Sequence, residues 1–359
     1  LAGPGGFVLP GTMCARSQGL TLEGPDEVVV ARHIEAKRAV RRAPVIAAVV
    51  VGLGLAAAPV AFQMFTRAPK GGEMITDFAP YMTSQRAEAF RGYLDQIDRA
   101  EAESRTVLQP YVVGSGEVDD AGYRARFPSV ATLNDTWATT IRPDMADLVD
   151  TIDRNLENYA AVAALPPFPL FPWFFVLPGL MIAGVGVATL RSGANSRRLL
   201  LVLACLGMGG VLAPAVFQMF TRAPKGADMI DDFRPMMGRQ RVQSVQGYFI
   251  TIGAAEGQLR NLTVPFAAEI AGPIAPASSA YPSVSEFSEN WPTIVGDFAP
   301  MIGAMADNLD NFEAVDAMPK FSLFPWFFVG PGLLVAGLAL LARASSSPVH
   351  NTVKQGIQP

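Results

Sequence analysis

Side chains able to do covalent or acid–base chemistry are scarce in this sequence and poorly placed for it. The only two histidines are His33 and His350, near the ends of the chain, and the only two cysteines are Cys14 and Cys205. The long segments 66–169 and 221–322 contain neither residue type. The usual general base, soft metal ligand and thiol nucleophile are therefore missing where a site would have room to form. Carboxylates are plentiful, but Asp95, Asp98, Glu101 and Glu103 read as a solvated helix face. Asp98 with Glu101, or Asp307 with Asp310, could share a calcium ion, yet the ring of oxygen ligands calcium prefers is not visible around them. No Walker loop, dinucleotide fingerprint, HExxH or GxSxG occurs. We expect no enzyme, no metal and no cofactor; a lipid-modifying enzyme using only carboxylates is the remaining enzymatic alternative.

Two motifs carry binding chemistry instead. TRAPKG, at 66–71 and again at 221–226, presents Arg67 with Lys70 and Arg222 with Lys225. At headgroup level such residues anchor a span, and the sharper expectation is a symmetric pair of clamps on an anionic lipid headgroup. LFPWFFV, at 170–176 and 323–329, presents Trp173 and Phe174, then Trp326 and Phe327, as aromatic belts. These eight residues form the expected lipid- or partner-binding site. Gln63 and Gln218 are expected to hydrogen-bond between helices, across a pseudo-twofold axis or to a backbone carbonyl.

The elements that must position these residues are four apolar runs, 45–65, 170–190, 199–220 and 323–342, with no Asp, Glu, Lys, Arg or His. Each has the roughly 20 residues an α-helix needs to cross a bilayer. The absence of ionisable groups within them argues against an isolated pump or ion carrier. A cleavable signal peptide fits poorly, because the first run lies behind more than forty residues without a small-residue cleavage site. Glycines such as Gly52, Gly54, Gly184, Gly186, Gly207, Gly209 and Gly210 imply tight helix packing.

Charge sets the expected orientation. Segments 66–169 and 221–322 hold 16 and 12 acidic residues against 10 and 7 basic ones, whereas the rest of the chain holds 11 basic and 4 acidic. Lys37, Arg38, Arg41, Arg42, Arg191, Arg197 and Arg198 outnumber the opposing Arg67, Lys70, Arg222 and Lys225. The positive-inside rule then places both termini in the cytoplasm and the acidic segments outside, in the plasma (inner) membrane.

The chain is also duplicated. FQMFTRAPKG at 62–71 recurs unchanged at 217–226, and LFPWFFVLPGL at 170–180 returns as LFPWFFVGPGL at 323–333. Between them Arg86, Tyr93 and Glu101 match Arg241, Tyr248 and Glu256. Ten consecutive identities mark an internal repeat.

The expected organisation is a partly disordered cytoplasmic tail (1–42), a first repeat (43–190), a cytoplasmic loop (191–198), a second repeat (199–342) and a C-terminal tail (343–359). Within each repeat, spans flank an outer segment, 66–169 or 221–322. Residues 1–24 are rich in Gly and Pro, start at Leu1 and contain Met13 as an alternative start. In the first outer segment one apolar stripe runs Met74, Phe78, Met82, Ala89, Tyr93, Ile97, Ala100, and a second runs from Val130 through Trp137 to Tyr159. Two such hairpins bury their stripes by forming a four-helix bundle. Pro80, Pro143, Pro235 and Pro300 should interrupt the helices. The fold class is thus an all-α membrane protein: four transmembrane helices, two extracytoplasmic helical hairpins, and a tandem parallel repeat with pseudo-twofold symmetry.

The QMFTRAPKG run, the FxPxM pattern at 78–82 and the PWFF stretch resemble uncharacterised multi-pass membrane proteins of actinobacteria, over nearly all of residues 40–345. That resemblance implies no activity. The topology is similar to that of tetraspanins or prominins in shape alone, since the paired ectodomain cysteines of tetraspanins are missing. The functional expectation is a non-enzymatic envelope protein whose outward bundle binds a partner protein or lipid, such as an accessory subunit of a lipid-transport or cell-wall assembly machine. The alternative is an extracytoplasmic sensor that signals through a partner. Membrane lipids and membrane proteins are the expected partners, and nucleic acid is not.

Overall fold

The structure, a computed structural model, describes residues 25–116, 118–192, 196–271 and 277–345. It is built from helices, with no strand among the described residues. In the first copy these are α1 (Pro25–Ala61), α2 (Met64–Phe78), α3 (Ser84–Glu103), α4 (Gln109–Gly114), α5 (Asp120–Arg126), α6 (Pro128–Thr136), α7 (Arg142–Arg154), α8 (Leu156–Ala163) and α9 (Phe171–Arg191). The second copy contributes α10 (Ser196–Val216), α11 (Met219–Phe233), α12 (Arg239–Ala271), α13 (Ala277–Ala280), α14 (Pro282–Asp307), α15 (Leu309–Asp316) and α16 (Phe324–Ala344).

Four stretches are long and apolar enough to cross a membrane: Arg42–Ala61, Phe168–Arg191, Ser196–Val216 and Phe321–Ala344. Their windows are only 22 to 39% buried, so most of their apolar surface faces outward from the protein. In water such a surface would be a large aggregation patch; in hydrocarbon it is matched to its solvent.

The first run differs from its expected bounds at both ends. Its helix is already present at Pro25, the first described residue. It stops at Ala61, two residues after Pro59, because Gln63 adopts a left-handed backbone with φ 55°. Gln218, at φ 54°, makes the same bend between α10 and α11. The apolar runs 45–65 and 199–220 are therefore each a span followed by a corner, with α2 and α11 leading off in a new direction. Residues 1–24, 193–195 and 346–359 fall outside the described residues, and with them the expectations for that part of the N-terminal tail, for three of the eight residues of the short loop and for most of the C-terminal tail.

Within each copy the spans pair closely, α1 on α9 and α10 on α16. Glycine makes this possible: a Cβ on Gly52 would lie 2.7 Å from the Gly179 carbonyl oxygen, and one on Gly207 2.6 Å from that of Gly332. Gly54, Gly184 and Gly209 face open space instead. Between copies, α1 meets α16 and α9 meets α10, through Ala48, Ile182, Leu203, Val335 and Ala339.

The remaining helices bury one continuous core of both copies. Here α3 and α7, with α12 and α14, form the long helices, α3 packing on α14 and α12 on α6 and α14. The second sequence stripe is buried from Val130 to Ile152, although a π-helical turn at Trp137–Ile141 lies inside it. The first stripe needs correction. Pro80 sits in a turn, and the helix restarts at Ser84 with the Thr83 side chain accepting from the Arg86 amide. That restart resets the register, so Ala87, Phe90 and Leu94 face the core and Ala89 is only half-buried. Pro235 also lies in a turn and Pro143 starts α7 after the π turn, but α14 runs uninterrupted through Pro292 and Pro300. The expected break at Pro300 does not occur.

Candidate functional site

The two sequence motifs meet where the spans join the bundle. Arg67 donates from Nη1 to the carbonyl oxygen of Ala317 at 2.8 Å, and Arg222 does the same to Ala164 at 2.8 Å. Those carbonyls sit at the C-terminal ends of α15 and α8, where a cation also complements the helix dipole. Each arginine thus closes a helix of the other copy, and α8 packs on α11 while α15 packs on α2. Lys225 pairs with Glu157 and holds its carboxyl below the usual range, while Lys70 makes no ion pair among the described residues. Trp173 meets Phe65 edge-on at 5.7 Å, and Trp326 meets Phe220 at 5.8 Å, with both indoles about half exposed. Phe327 reaches Phe62 at 6.2 Å and Phe174 reaches Phe217 at 5.7 Å, contacts that cross between copies. Gln63 and Gln218 are exposed corner residues, and their backbone carbonyls accept from the Thr66 and Thr221 hydroxyls.

Many polar residues repeated in the sequence turn out to hold the copies to each other. Asp297 accepts from Tyr93 at 2.7 Å and pairs with Arg86 at 2.6 Å; in the counterpart, Asp144 accepts from Tyr248 and pairs with Arg241. Burial raises the Asp297 carboxyl, but the Tyr93 and Arg86 hydrogen bonds outweigh it and leave the pKa lowered. The buried Asn308 donates to Asp77 at 3.0 Å and the buried Asn155 to Asp232 at 2.9 Å. Glu103 accepts from the Val284 amide at the start of α14, and Gln258 accepts from Ser129 and Val130 at the start of α6. Burial pushes the Glu103 carboxyl up even though the Val284 and Ser283 amides favour its charge. The sequence signal for these contacts was the identity of Arg86 with Arg241 and Tyr93 with Tyr248.

The candidate pair Asp98 and Glu101 is already engaged. Asp98 accepts from Arg142 at 2.8 Å and from the Trp137 indole, and Glu101 pairs with Arg105 at 2.9 Å. Among the described residues no three His, Cys, Asp or Glu groups converge on a metal position.

Room for a ligand lies elsewhere. At the centre of the bundle is an apolar cavity of about 50 Å³ with Met74, Met82, Met229, Met237, Met301 and Met305 in its wall. It is far below the roughly 300 Å³ at which ligand pockets begin. Two larger clefts open between spans of different copies. One, of about 360 Å³, lies between α1 and α16 and is lined by Gly54, Ala58 and Phe62 against Phe327, Pro331 and Leu334. The other, of about 530 Å³, lies between α10 and α9, with Gly209, Ala213 and Phe217 against Phe174, Pro178 and Met181. Residue for residue, these are the same positions of the duplicated sequence.

Phenylalanines stand between the two clefts: Phe175 and Phe324 line the smaller, Phe328 and Phe171 the larger, and each meets its own counterpart, Phe171 with Phe324 at 6.2 Å and Phe175 with Phe328 at 4.5 Å. No charged or hydroxyl-bearing side chain lines either cleft. At the bundle end the linings include Pro319 and Pro166, each two residues beyond the carbonyl that Arg67 or Arg222 holds. No protein-family model matches this chain, and no curated protein matches it either.

Proposed function

We propose that this chain is a non-enzymatic multi-pass protein of the plasma (inner) membrane, with both termini cytoplasmic and its bundle on the outer side, that binds membrane lipid. In this reading the two copies are parallel repeats about an axis normal to the membrane, and the protein serves as an accessory subunit of an envelope lipid-transport or cell-wall assembly complex. The observation that carries it is the pair of apolar clefts between apolar helices, each lined by a proline two residues beyond the carbonyl that Arg67 or Arg222 holds. A cleft of that kind is matched to hydrocarbon, because its lining is almost entirely apolar and offers water little to bond.

The orientation is tested by single cysteines placed at exposed bundle positions such as Asp150 and Glu289, in a Cys14→Ser, Cys205→Ala background. A membrane-impermeant maleimide should label both in intact cells; protection of both until the cells are opened overturns the outward assignment. The accessory role is tested by purification in mild detergent. Stoichiometric co-purification of one membrane protein supports it, and recovery of the chain as an isolated monomer counts against it.

A further inference from the structure

We propose that each interspan cleft holds one acyl chain of an anionic phospholipid from the leaflet on the bundle's side, with the headgroup phosphate resting on Arg67 at one cleft and Arg222 at the other. This rests on the membrane reading above.

Three observations converge on that occupant. The clefts measure about 360 and 530 Å³, inside the range of ligand pockets, and their linings are apolar throughout. They lie among helices whose other faces are also apolar and exposed, so a hydrocarbon chain can enter sideways without crossing water. The third observation is electrostatic. Arg86, Arg91, Arg99, Arg105, Arg124, Arg142, Arg234, Arg239, Arg241 and Arg260 all pair with a carboxylate. Arg67 and Arg222, like Arg154, have no such partner among the described residues, although acidic residues outnumber basic ones in both segments; Arg154 donates to the Thr151 hydroxyl, away from the clefts. Each is half-buried and fixed at one nitrogen by a carbonyl, which leaves further N–H donors of the planar fork for a phosphate.

The two sites are not equal. Beside the first, Lys320 is exposed next to the lining residue Pro319; beside the second the same position is Pro167, and Lys225 is neutralised by Glu157. The smaller cleft therefore has the more positive mouth, and it should discriminate more strongly between charged and neutral lipid.

Gly54 and Gly209 allow a clean test, because each lines a cleft and an added Cβ would meet nothing within 4 Å. The full chain in mild detergent is mixed with phosphatidylglycerol or phosphatidylcholine, and retained lipids are counted by native mass spectrometry. The wild type should retain two phosphatidylglycerol molecules and at least tenfold less phosphatidylcholine. Gly54→Leu and Gly209→Leu should each lose one, and the double variant both, with unchanged helix content and melting temperature.

Retention by the folded double variant equal to wild type overturns the cleft assignment, and equal retention of the two lipids overturns the headgroup assignment. As a second measurement, in a Cys14→Ser chain phosphatidylglycerol should slow alkylation of Cys205, which lines the larger cleft, at least threefold; an unchanged rate counts against occupancy there. A chain that stays monodisperse without detergent would instead defeat the membrane reading itself.

Discussion

At the scale of single residues, the decisive groups are carboxylates that answer to the other copy. Asp297 takes both a guanidinium and a phenol from α3, so Asp297→Asn removes a charge-assisted contact and leaves Arg86 without its partner. Hydrogen bonds to charged groups are worth about 1.5–3 kcal/mol, and we expect a loss of that order, read as a lower midpoint in chemical unfolding in detergent. The pH dependence follows from the direction of the shift. Because the folded-state pKa of Asp297 is lowered, its contribution is complete above the ordinary aspartate value of 3.8 and fades as pH falls through the lowered one. Tyr93 works the opposite way: the hydrogen bond to Asp297 raises its pKa above 10.0, so its contribution is complete below that value and is lost as pH climbs through the raised one. Asp297→Asn should flatten the acid limb of the stability profile, and an unchanged acid limb would remove Asp297 from the account. These residues were visible in the sequence only as identities between copies, since their partners lie about 200 positions away.

Elements are joined here by corners and close approaches that depend on backbone conformation. The left-handed Gln63 carries a steric penalty of about 1–2 kcal/mol that glycine escapes. Gln63→Gly should therefore raise the thermal midpoint or leave it unchanged, whereas Gln63→Val should lower it; a stabilising valine would rule out the corner. Gly52 is the converse case, its missing Cβ being what brings α1 onto the backbone of α9. Gly52→Leu should cost about 1–3 kcal/mol by overpacking, measured as a lower melting temperature, while Gly54→Leu, on the opposite face of the helix, should cost little. Hydropathy showed where the apolar runs lie but not that two of them turn before they finish, because Phe62, Met64 and Phe65 are as apolar as the span they follow.

At the scale of the whole molecule, each copy completes the other. Arg67 and Arg222 close helices of the opposite copy, Glu103 and Gln258 cap opposite helix starts, and the core runs through both. Co-expressed fragments 1–193 and 194–359 should therefore co-purify as a stable complex, and the first fragment alone should aggregate or be degraded. Independent folding of either fragment, seen as a cooperative thermal transition of its own, would contradict this interlocking.

The sequence alone determined the number of long apolar helices and the helical character of the segments between them, and it holds the recurring motifs themselves. These are local properties: hydrophobic run length, apolar spacing and identity can each be counted along one chain. Only the tertiary structure decided that α8 and α15 lie against the opposite copy, that the motif arginines close those helices, and that tight glycine contacts within copies leave clefts between them. Which of two nearly identical partners a side chain meets is set by how the chain turns at Gln63 and Gln218, and residues of the same type in both copies satisfy either pairing equally well in one dimension.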